Sequence, residues 1–302
     1  MAENKRYFLE PAVLGRLMAL PLHARHAMLG NVSGRHRSPV RGSALEFAQY
    51  RKYVPGDDTR RLDWRTWGRS DRFYIKQFEA DTNLRLCLLL DTSGSMDFGP
   101  AGATRFDYAR KLAGALGYFA AVQGDAVGLW SMAEKRVDIP ARRGPAHLGQ
   151  VLDQLADLRP HGGTTLLAAL HEAAEKIRQR ALVIIFSDFF VAPAELKSAF
   201  QHLRFRKHDV AAFHLLDQRE LDFDFDRPAR FVDMEGGDAM LADPSLIARN
   251  YREAVRRYVV ELDEVVRATA VDYHRVRLHE RYDDALVRFL LARIQNHTSA
   301  AR

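Results

Sequence analysis

Small oxygen-bearing side chains follow an apolar run in the segment RLCLLLDTSGSM, residues 85–96. The run has the composition of a buried strand, and it leads directly to Asp91, Ser93 and Ser95. On a tight turn from strand to helix, Asp-x-Ser-x-Ser would direct one carboxylate and two hydroxyls into a small volume, and the glycine between the serines permits the bend. Oxygen ligands of this kind suit a hard divalent cation such as Mg²⁺.

Two further segments offer oxygen atoms for the same site. In ALVIIFSDFF, residues 181–190, the apolar run is followed by Ser187 and Asp188. The segment HGGTTL, residues 161–166, places hydroxyls at a glycine-flanked helix start. In an open parallel sheet, ligands bind beyond the carboxyl ends of the strands, at the point where the strand order reverses. We therefore expect the three segments to meet at one edge of a sheet.

The elements that must position these side chains begin after Asn83, where apolar strands alternate with amphipathic helices. This alternation predicts an α/β fold with a mostly parallel sheet covered on both faces. The predicted strands are 84–90, DAVGLWSM, an antiparallel edge strand in KRVDIP, ALVIIFSDFF, DVAAFHLL, a short one near 230–234 and 271–277. The predicted helices are 105–123, 145–158, 164–179, 193–207, 245–269 and 283–295.

The first 82 residues differ in character from the remainder. Residues 6–30 predict one or two short helices, 30–42 a loop and 59–68 a short helix, followed by a strand in RFYIKQF. We therefore predict a small N-terminal α+β appendage over 1–82 and the large sheet domain, with its C-terminal helical extension, over 83–302.

Composition places the chain among ordinary globular proteins. Its 302 residues are 47% hydrophobic, which is enough for a large core, and no stretch has the roughly 18 to 20 consecutive apolar residues of a membrane span. The N-terminus lacks the apolar core of a signal peptide, and the single cysteine, Cys87, can form no intrachain disulfide. These features predict a cytoplasmic protein.

The net charge of +6 comes from the N-terminal part of the chain. Residues 1–90 carry 16 Lys and Arg against 9 Asp and Glu, whereas the remainder carries 29 against 30. Such a basic segment could meet an acidic partner, nucleic acid or only water. Farther along, Trp64 and Trp67 could stack on bases, but the interleaved Asp58, Asp63 and Asp71 would repel phosphates, which argues against nucleic-acid binding.

The three oxygen-bearing segments resemble, in order and spacing, the metal-ion-dependent adhesion site of the von Willebrand factor type A fold. This resemblance implies one divalent ion, Mg²⁺ with Mn²⁺ or Ca²⁺ as alternatives, open to an acidic residue of a protein partner. The implied ligands are Asp91, Ser93, Ser95, Thr164 and Asp188. A shift of one position in the alignment would replace Thr164 by Thr165. One departure is Phe189, where many relatives have glycine, and its bulk could narrow access to the ion.

The segment EFAQYRKYVPGDDTRRLDWRTWGRSDRFYIKQFEAD is similar to the signature of the bacterial family called domain of unknown function 58. In that family the signature directly precedes a type A domain. The resemblance implies a non-enzymatic adaptor or chaperone-like cofactor that cooperates with a MoxR-type AAA+ ATPase. Because this chain has no Walker A sequence, the partner would supply the ATP hydrolysis.

A hydrolase and a nucleic-acid binder are the alternatives. Phosphatases similar to the haloacid dehalogenases also place an aspartate after the first strand, but they have a second aspartate two positions later, where this chain has Ser93. A G-x-S-x-G nucleophile elbow is also missing from the sequence. The residues therefore favour a binding site over a catalytic one.

Overall fold

The computed structural model describes most of the chain downstream of residue 83 and shorter parts upstream. The described residues are 6–18, 20, 22, 37–38, 45–52, 74–81, 84–100, 102–132, 136–163, 165–223, 229–232, 239–242 and 244–300. The strands are β1 (Arg37–Ser38), β2 (Leu45–Lys52), β3 (Tyr74–Asp81), β4 (Arg85–Asp91), β5 (Ala126–Met132), β6 (Asp138–Arg142), β7 (Leu182–Ser187), β8 (Asp209–Leu216), β9 (Ala229–Val232), β10 (Ala239–Ala242) and β11 (Asp272–Arg277). The helices are α1 (Pro11–Leu17), α2 (Arg105–Val122), α3 (Pro145–Asp157), α4 (Leu166–Lys176), α5 (Pro193–Phe205), α6 (Gln218–Asp222), α7 (Pro244–Thr269) and α8 (Tyr282–Ala300).

The main sheet has six strands in the order β6-β5-β4-β7-β8-β11. All neighbours are parallel except β6, which pairs antiparallel with β5 as predicted. Numbered along the chain, this is the doubly wound order 3-2-1-4-5-6, whose direction reverses between β4 and β7. Two of the three segments predicted to form the site, those that contain Asp91 and Asp188, lie at the ends of these two central strands.

Side chains of the central strands alternate between two hydrophobic cores. In β4, Leu86, Leu88 and Leu90 pack with α2, α3 and α8 on one face, whereas Cys87 and Leu89 pack with α4, α5 and α7 on the other. A strand buried on both faces needs apolar residues at every position, which explains its continuous apolar run. The predicted α/β class is confirmed, with helices on both faces of a mostly parallel sheet, while the likeness to the von Willebrand factor type A fold stays a prediction.

The segment around α1 packs directly on the main domain. Phe8 is fully buried, and a Cβ placed on Gly114 of α2 would lie 2.6 Å from its ring, so this close approach requires glycine. Arg16 donates to Asp283 (2.7 Å) and Asp284 (2.9 Å) at the start of α8. Part of the predicted N-terminal appendage therefore contacts the sheet domain, while the boundary at residues 82 and 83 stays a prediction.

A second sheet, of order β1-β3-β2, lies within the predicted appendage. The strand predicted in RFYIKQF forms β3, and it pairs antiparallel with both neighbours. The loop predicted over 30–42 is wrong at Arg37–Ser38, because these residues pair with β3 as β1. The helix predicted over 59–68, with Trp64 and Trp67, lies outside the described residues.

Two elements of the C-terminal half were not predicted. The short α6 follows β8, and β10 pairs antiparallel with β9 to form a small separate hairpin. Within the described part of the chain, none of the helices combines the length and apolar character needed to cross a membrane.

Gly128 permits the close contact between β5 and the edge strand β6. A Cβ at this position would lie 2.7 Å from the carbonyl oxygen of Ile139 and 2.8 Å from the nitrogen of Ala141, both backbone atoms that cannot rotate away. We expect Gly128→Ala to lower the free energy of unfolding by about 1 to 3 kcal/mol, measured by urea denaturation.

The matched control is Gly149→Ala in α3, where a Cβ would meet only the end of the Arg6 side chain at 3.5 Å. Because alanine favours helix, this control should be neutral or stabilising by up to about 1 kcal/mol. Equal behaviour of the two variants would contradict the steric role of Gly128.

Candidate metal centre

Asp91 and Ser187 lie side by side at the reversal point of the sheet. Asp91 is the last residue of β4, Ser187 is the last residue of β7, and the two strands pair in parallel. Ser187 Oγ donates a hydrogen bond of 2.6 Å to Asp91 Oδ2. The carboxylate is 1% exposed, so the strands hold it in a buried position at the carboxyl edge.

The loop after β4 turns its hydroxyls toward each other. The Ser93 backbone nitrogen donates to Asp91 Oδ1 at 3.0 Å, and a short 3₁₀ helix, Gly94–Asp97, follows. Ser93 Oγ and Ser95 Oγ are 3.0 Å apart. Two ligands at right angles and about 2.1 Å from one Mg²⁺ also lie about 3 Å apart, so this spacing is compatible with neighbouring positions of an octahedral site.

The second loop, residues 161–166, is fixed by backbone hydrogen bonds against the first loop, which follows β4. The nitrogen of Gly94 donates to the carbonyl oxygen of Gly162, and the nitrogen of His161 donates to that of Thr92, both at 2.9 Å. Thr165 Oγ1 is buried and has no hydrogen-bond partner among the described residues, which is the state of an oxygen available as a ligand. Thr164 lies outside the described residues.

Asp188 begins the third loop, directly after β7. It is 2% exposed and forms a buried ion pair with Arg105. Arg105 Nη1 donates to Asp188 Oδ2 at 3.0 Å and also to the carbonyl oxygen of Ser95 at 3.0 Å. The other carboxylate oxygen, Oδ1, accepts from the nitrogen of Phe190 at 3.3 Å. One arginine therefore contacts both the first and the third loop.

Two buried carboxylates at one edge disfavour the charged form of Asp91. Burial raises its pKa to about 6, and the negative charge of Asp188 adds to the increase, while hydrogen bonds from Ser187 and Ser93 oppose it. Burial also lowers the pKa of Arg105, and Asp188 opposes that decrease. An additional positive charge close to Asp91 would offset the repulsion between the carboxylates.

Phe189 has a left-handed backbone, φ 53°, which explains why glycine suits this position. Its side chain is 1% exposed and packs edge-on against Phe200 and His214, with ring centroids 6.1 and 5.7 Å away. The ring therefore points into the core and does not cover the carboxylates. Phe190, the next residue, is an aromatic beside the site that is 45% exposed.

His214 lies behind the third loop and stays uncharged. It occupies the position on β8 that is paired with Ser187, and it is fully buried. Burial lowers its pKa to about 3, and the positive charge of Arg105 lowers it further. The site therefore has Arg105 as its buried cation, without a second positive charge from the imidazole.

The donor atoms suit an oxygen-preferring cation better than an ion such as Zn²⁺, which prefers thiolate or imidazole ligands. No three or more His, Cys, Asp and Glu side chains lie together in a metal-binding arrangement within the described ranges. The predicted set instead combines two carboxylates with hydroxyls, and oxygen-only sets of this kind suit Mg²⁺, Mn²⁺ or Ca²⁺. The described members of the set fit such an ion, and the assignment of the ligands stays a prediction.

Sequence reasoning missed Arg105 and its second partner, Glu220 on α6. Arg105 Nη2 forms an ion pair with Glu220, whose side chain is 18% exposed. Arg105 is the first residue of α2, and a positive charge at a helix N-terminus is electrostatically unfavourable. That unfavourable position was the available signal that the arginine has an acidic partner elsewhere in the fold.

Relatives of the chain extend over most of its length. Uncharacterized proteins of Mycobacterium tuberculosis and Mycobacterium bovis are 27% identical to it over 290 residues, covering 94% of this chain and 90% of theirs.

Two solved structures are similar at low identity. One is an aerotolerance-related membrane protein of Bacteroides fragilis with mutations to serine, at 15% identity and a TM-score of 0.45, covering 72% of this chain and 100% of that one. The other is the conserved hypothetical protein BatB of Bacteroides thetaiotaomicron, at 15% identity and a TM-score of 0.45, covering 70% and 100%.

The family assignment comes from a sequence match rather than from these structures. The family model described as "Protein of unknown function DUF58" matches residues 49–261, which is more than half of the chain and includes the first, second and third loops. The signature noted in the sequence, residues 43–81, overlaps the beginning of this match. The chain therefore belongs to the family of proteins of unknown function DUF58.

Proposed function

We propose that this protein is a non-enzymatic adaptor that binds a partner through a divalent ion at the edge of its main sheet. Asp91, Ser93, Ser95, Asp188 and a threonine of the second loop would hold the ion. The bound ion would offer an open coordination position to an acidic side chain of the partner. The partner implied by the family resemblance is a MoxR-type AAA+ ATPase.

The observation that carries the proposal is the convergence of three loops at the reversal point. Ser187 links the ends of β4 and β7 through its bond to Asp91, and backbone bonds join the first loop to the second. The 3.0 Å spacing of the Ser93 and Ser95 hydroxyls is compatible with two neighbouring ligands of one ion. These groups lie at the position where open α/β sheets bind ligands.

The charges of the site favour holding an ion over nucleophilic catalysis. A nucleophilic aspartate needs a nearby acid to protonate the leaving group, and the residue two positions after Asp91 is Ser93. Ser93 and Ser187 donate hydrogen bonds to both oxygens of Asp91, which orients the carboxylate. A site with two carboxylates and neutral hydroxyls leaves an Mg²⁺ ion electron-poor and able to accept a further carboxylate.

The test is a pull-down from native host lysate, read by mass spectrometry. Tagged wild type, Asp91→Ala and Asp97→Ala would each be used with Mg²⁺ and with a chelator. Asp97 is an exposed acid in the same loop and outside the predicted ligand set, so it controls for loss of a charge. We expect wild type and Asp97→Ala to recover an AAA+ ATPase or one dominant client with Mg²⁺ only.

Asp91→Ala should recover none of this partner in either condition. Partners that are recovered equally with chelator and with Asp91→Ala would contradict ion-dependent adhesion. The basic N-terminal segment would then be the surface to test, with a salt titration to identify electrostatic binding.

A further inference from the structure

Arg105 lies beside the candidate ion site, and the two edges of its guanidinium group have different partners. The side chain is 1% exposed. Nη1 is fully engaged, because it donates to Asp188 Oδ2 and to the carbonyl oxygen of Ser95, both at 3.0 Å. These two bonds fix the arginine to the first and third loops.

The opposite edge of the guanidinium is only partly engaged. Nη2 forms the ion pair with Glu220, but neither Nη2 nor Nε, both buried, makes a hydrogen bond of regular geometry among the described residues. Nε and Nη2 together form the edge on which arginine binds a carboxylate with two parallel hydrogen bonds. A carboxylate placed squarely on this edge would satisfy a donor that now lacks a partner.

We propose that Arg105 forms a carboxylate-binding subsite next to the ion site, and that Glu220 occupies it in place of an acidic side chain of the partner. The inference rests on the proposed function for the identity of the partner, whereas the subsite itself depends on Arg105 and Glu220. Because one carboxylate replaces another, the Nε and Nη2 edge of the buried arginine keeps an acidic partner throughout, while Asp188 stays paired with Nη1.

Glu220 lies on a short helix outside the main sheet. Its side chain is 18% exposed, and α6 has only five residues. Asp217 caps this helix by accepting from the nitrogen of Arg219 at 2.8 Å, and Arg252 Nε donates to the carbonyl oxygen of Asp222 at 2.7 Å. Releasing Glu220 therefore does not require a change in the main sheet.

Aromatic rings border the subsite and indicate the chemistry around the incoming acid. The guanidinium carbon of Arg105 is 5.1 Å from the ring centroid of Phe98 and 5.4 Å from that of Phe190. Phe190 is 45% exposed and lies next to Tyr258, with ring centroids 6.4 Å apart. The surface fits an acidic residue that has an apolar neighbour, since the rings would pack against the latter.

The experiment measures binding of glutarate, a small dicarboxylate whose end groups match a glutamate side chain. Thermal stability and calorimetric titration would be followed for wild type, Glu220→Gln and Asp222→Asn. Buffers would be freed of metal with a chelating resin, because EDTA is itself a carboxylate. Asp222→Asn is the matched control, as it removes a negative charge from the same helix at a side chain that accepts from Gln218.

We expect Glu220→Gln to bind glutarate with a half-saturating concentration at least about tenfold below that of wild type. If Glu220 occupies the subsite in about nine-tenths of the wild-type molecules, the apparent affinity of wild type for glutarate is about tenfold weaker than that of the open subsite. Asp222→Asn should behave as wild type. Adding Arg105→Lys to Glu220→Gln should abolish the gain, because lysine lacks the planar fork that binds both carboxylate oxygens.

Equal glutarate binding by Glu220→Gln and wild type would overturn the inference and leave the contact as a structural ion pair. If Glu220→Gln does not fold, Glu220→Asp supplies the same comparison, because it keeps the charge but shortens the reach to Arg105. Repeating the titration with Asp91→Asn separates the two proposals. A gain that persists there supports the subsite even if the ion-binding proposal fails.

Discussion

Asp91→Asn is expected to stabilise the ion-free protein while it abolishes the response to Mg²⁺. The wild-type carboxylate is buried, and its pKa is raised to about 6 by burial and by Asp188. A raised pKa favours folding at low pH, and this contribution is lost as the pH rises through about 6. At pH 7.5 the charge therefore costs stability, on the order of 2 to 3 kcal/mol at most.

The asparagine amide keeps the shape of the side chain and can still accept from the Ser93 nitrogen. We expect Asp91→Asn to raise the free energy of unfolding by about 2 kcal/mol at pH 7.5 in metal-free buffer, measured by urea denaturation. This difference should shrink as the pH falls from 6 to 4. With Mg²⁺ at about 100 times its dissociation constant, the free energy of unfolding of wild type should rise by about 2.7 kcal/mol, and that of the variant should not change. A less stable variant in metal-free buffer would contradict the account, and Asp97→Asn is the control.

Arg293→Met is expected to be the most destabilising substitution considered for this fold. Arg293 on α8 is fully buried, donates to Asp272 Oδ2 at 3.0 Å and forms an ion pair with Asp209. It joins the first residues of β8 and β11, at the edge opposite the candidate site. Removing the arginine leaves buried carboxylates without this counter-charge, which typically costs about 3 to 5 kcal/mol.

The matched control is Arg288→Met on the same helix. The Arg288 side chain is 55% exposed and pairs with Glu280, so its loss should cost no more than about 1 kcal/mol. Urea denaturation of both variants measures the difference. A similar loss of the free energy of unfolding in the two variants would mean that the Arg293 ion pairs contribute no more to the stability of the fold than a surface pair.

The sheet and its carboxyl edge could be predicted because they depend on local patterns. Continuous apolar runs identified β4, β7 and β8, since strands covered on both faces need apolar residues at every position. The polar residues directly after such strands, Asp91 and Asp188, had to lie near each other once the order of the strands was known.

Contacts between distant parts of the chain could not be predicted from the sequence. Arg105 and Asp188 are 83 residues apart, and Glu220 lies on a helix too short to give a periodic pattern. Nor did the pattern indicate β1, which has two residues and depends on pairing with β3. The resemblance implies a preference for glycine at the position of Phe189, but the cause of that preference, a left-handed backbone, is evident only from the fold.

The role of Arg105 changes how the candidate site should be understood. Without it, the site is a pair of buried carboxylates with hydroxyls, which attracts cations only. With Arg105 and its partner Glu220, the same edge has a fixed positive charge that is already paired with a carboxylate. Ion and arginine would then recognise the same class of partner, an acidic protein segment.

The most direct test of the central claim is the binding of Mn²⁺, measured by electron paramagnetic resonance of the free ion. We predict about one Mn²⁺ bound per wild-type chain, displaced by Mg²⁺, and a loss of this binding in Asp188→Asn and in Ser93→Ala with Ser95→Ala. Asp97→Asn should bind as wild type does. Equal Mn²⁺ binding by wild type and the ligand variants, or no binding by any of them, would contradict the divalent-ion site.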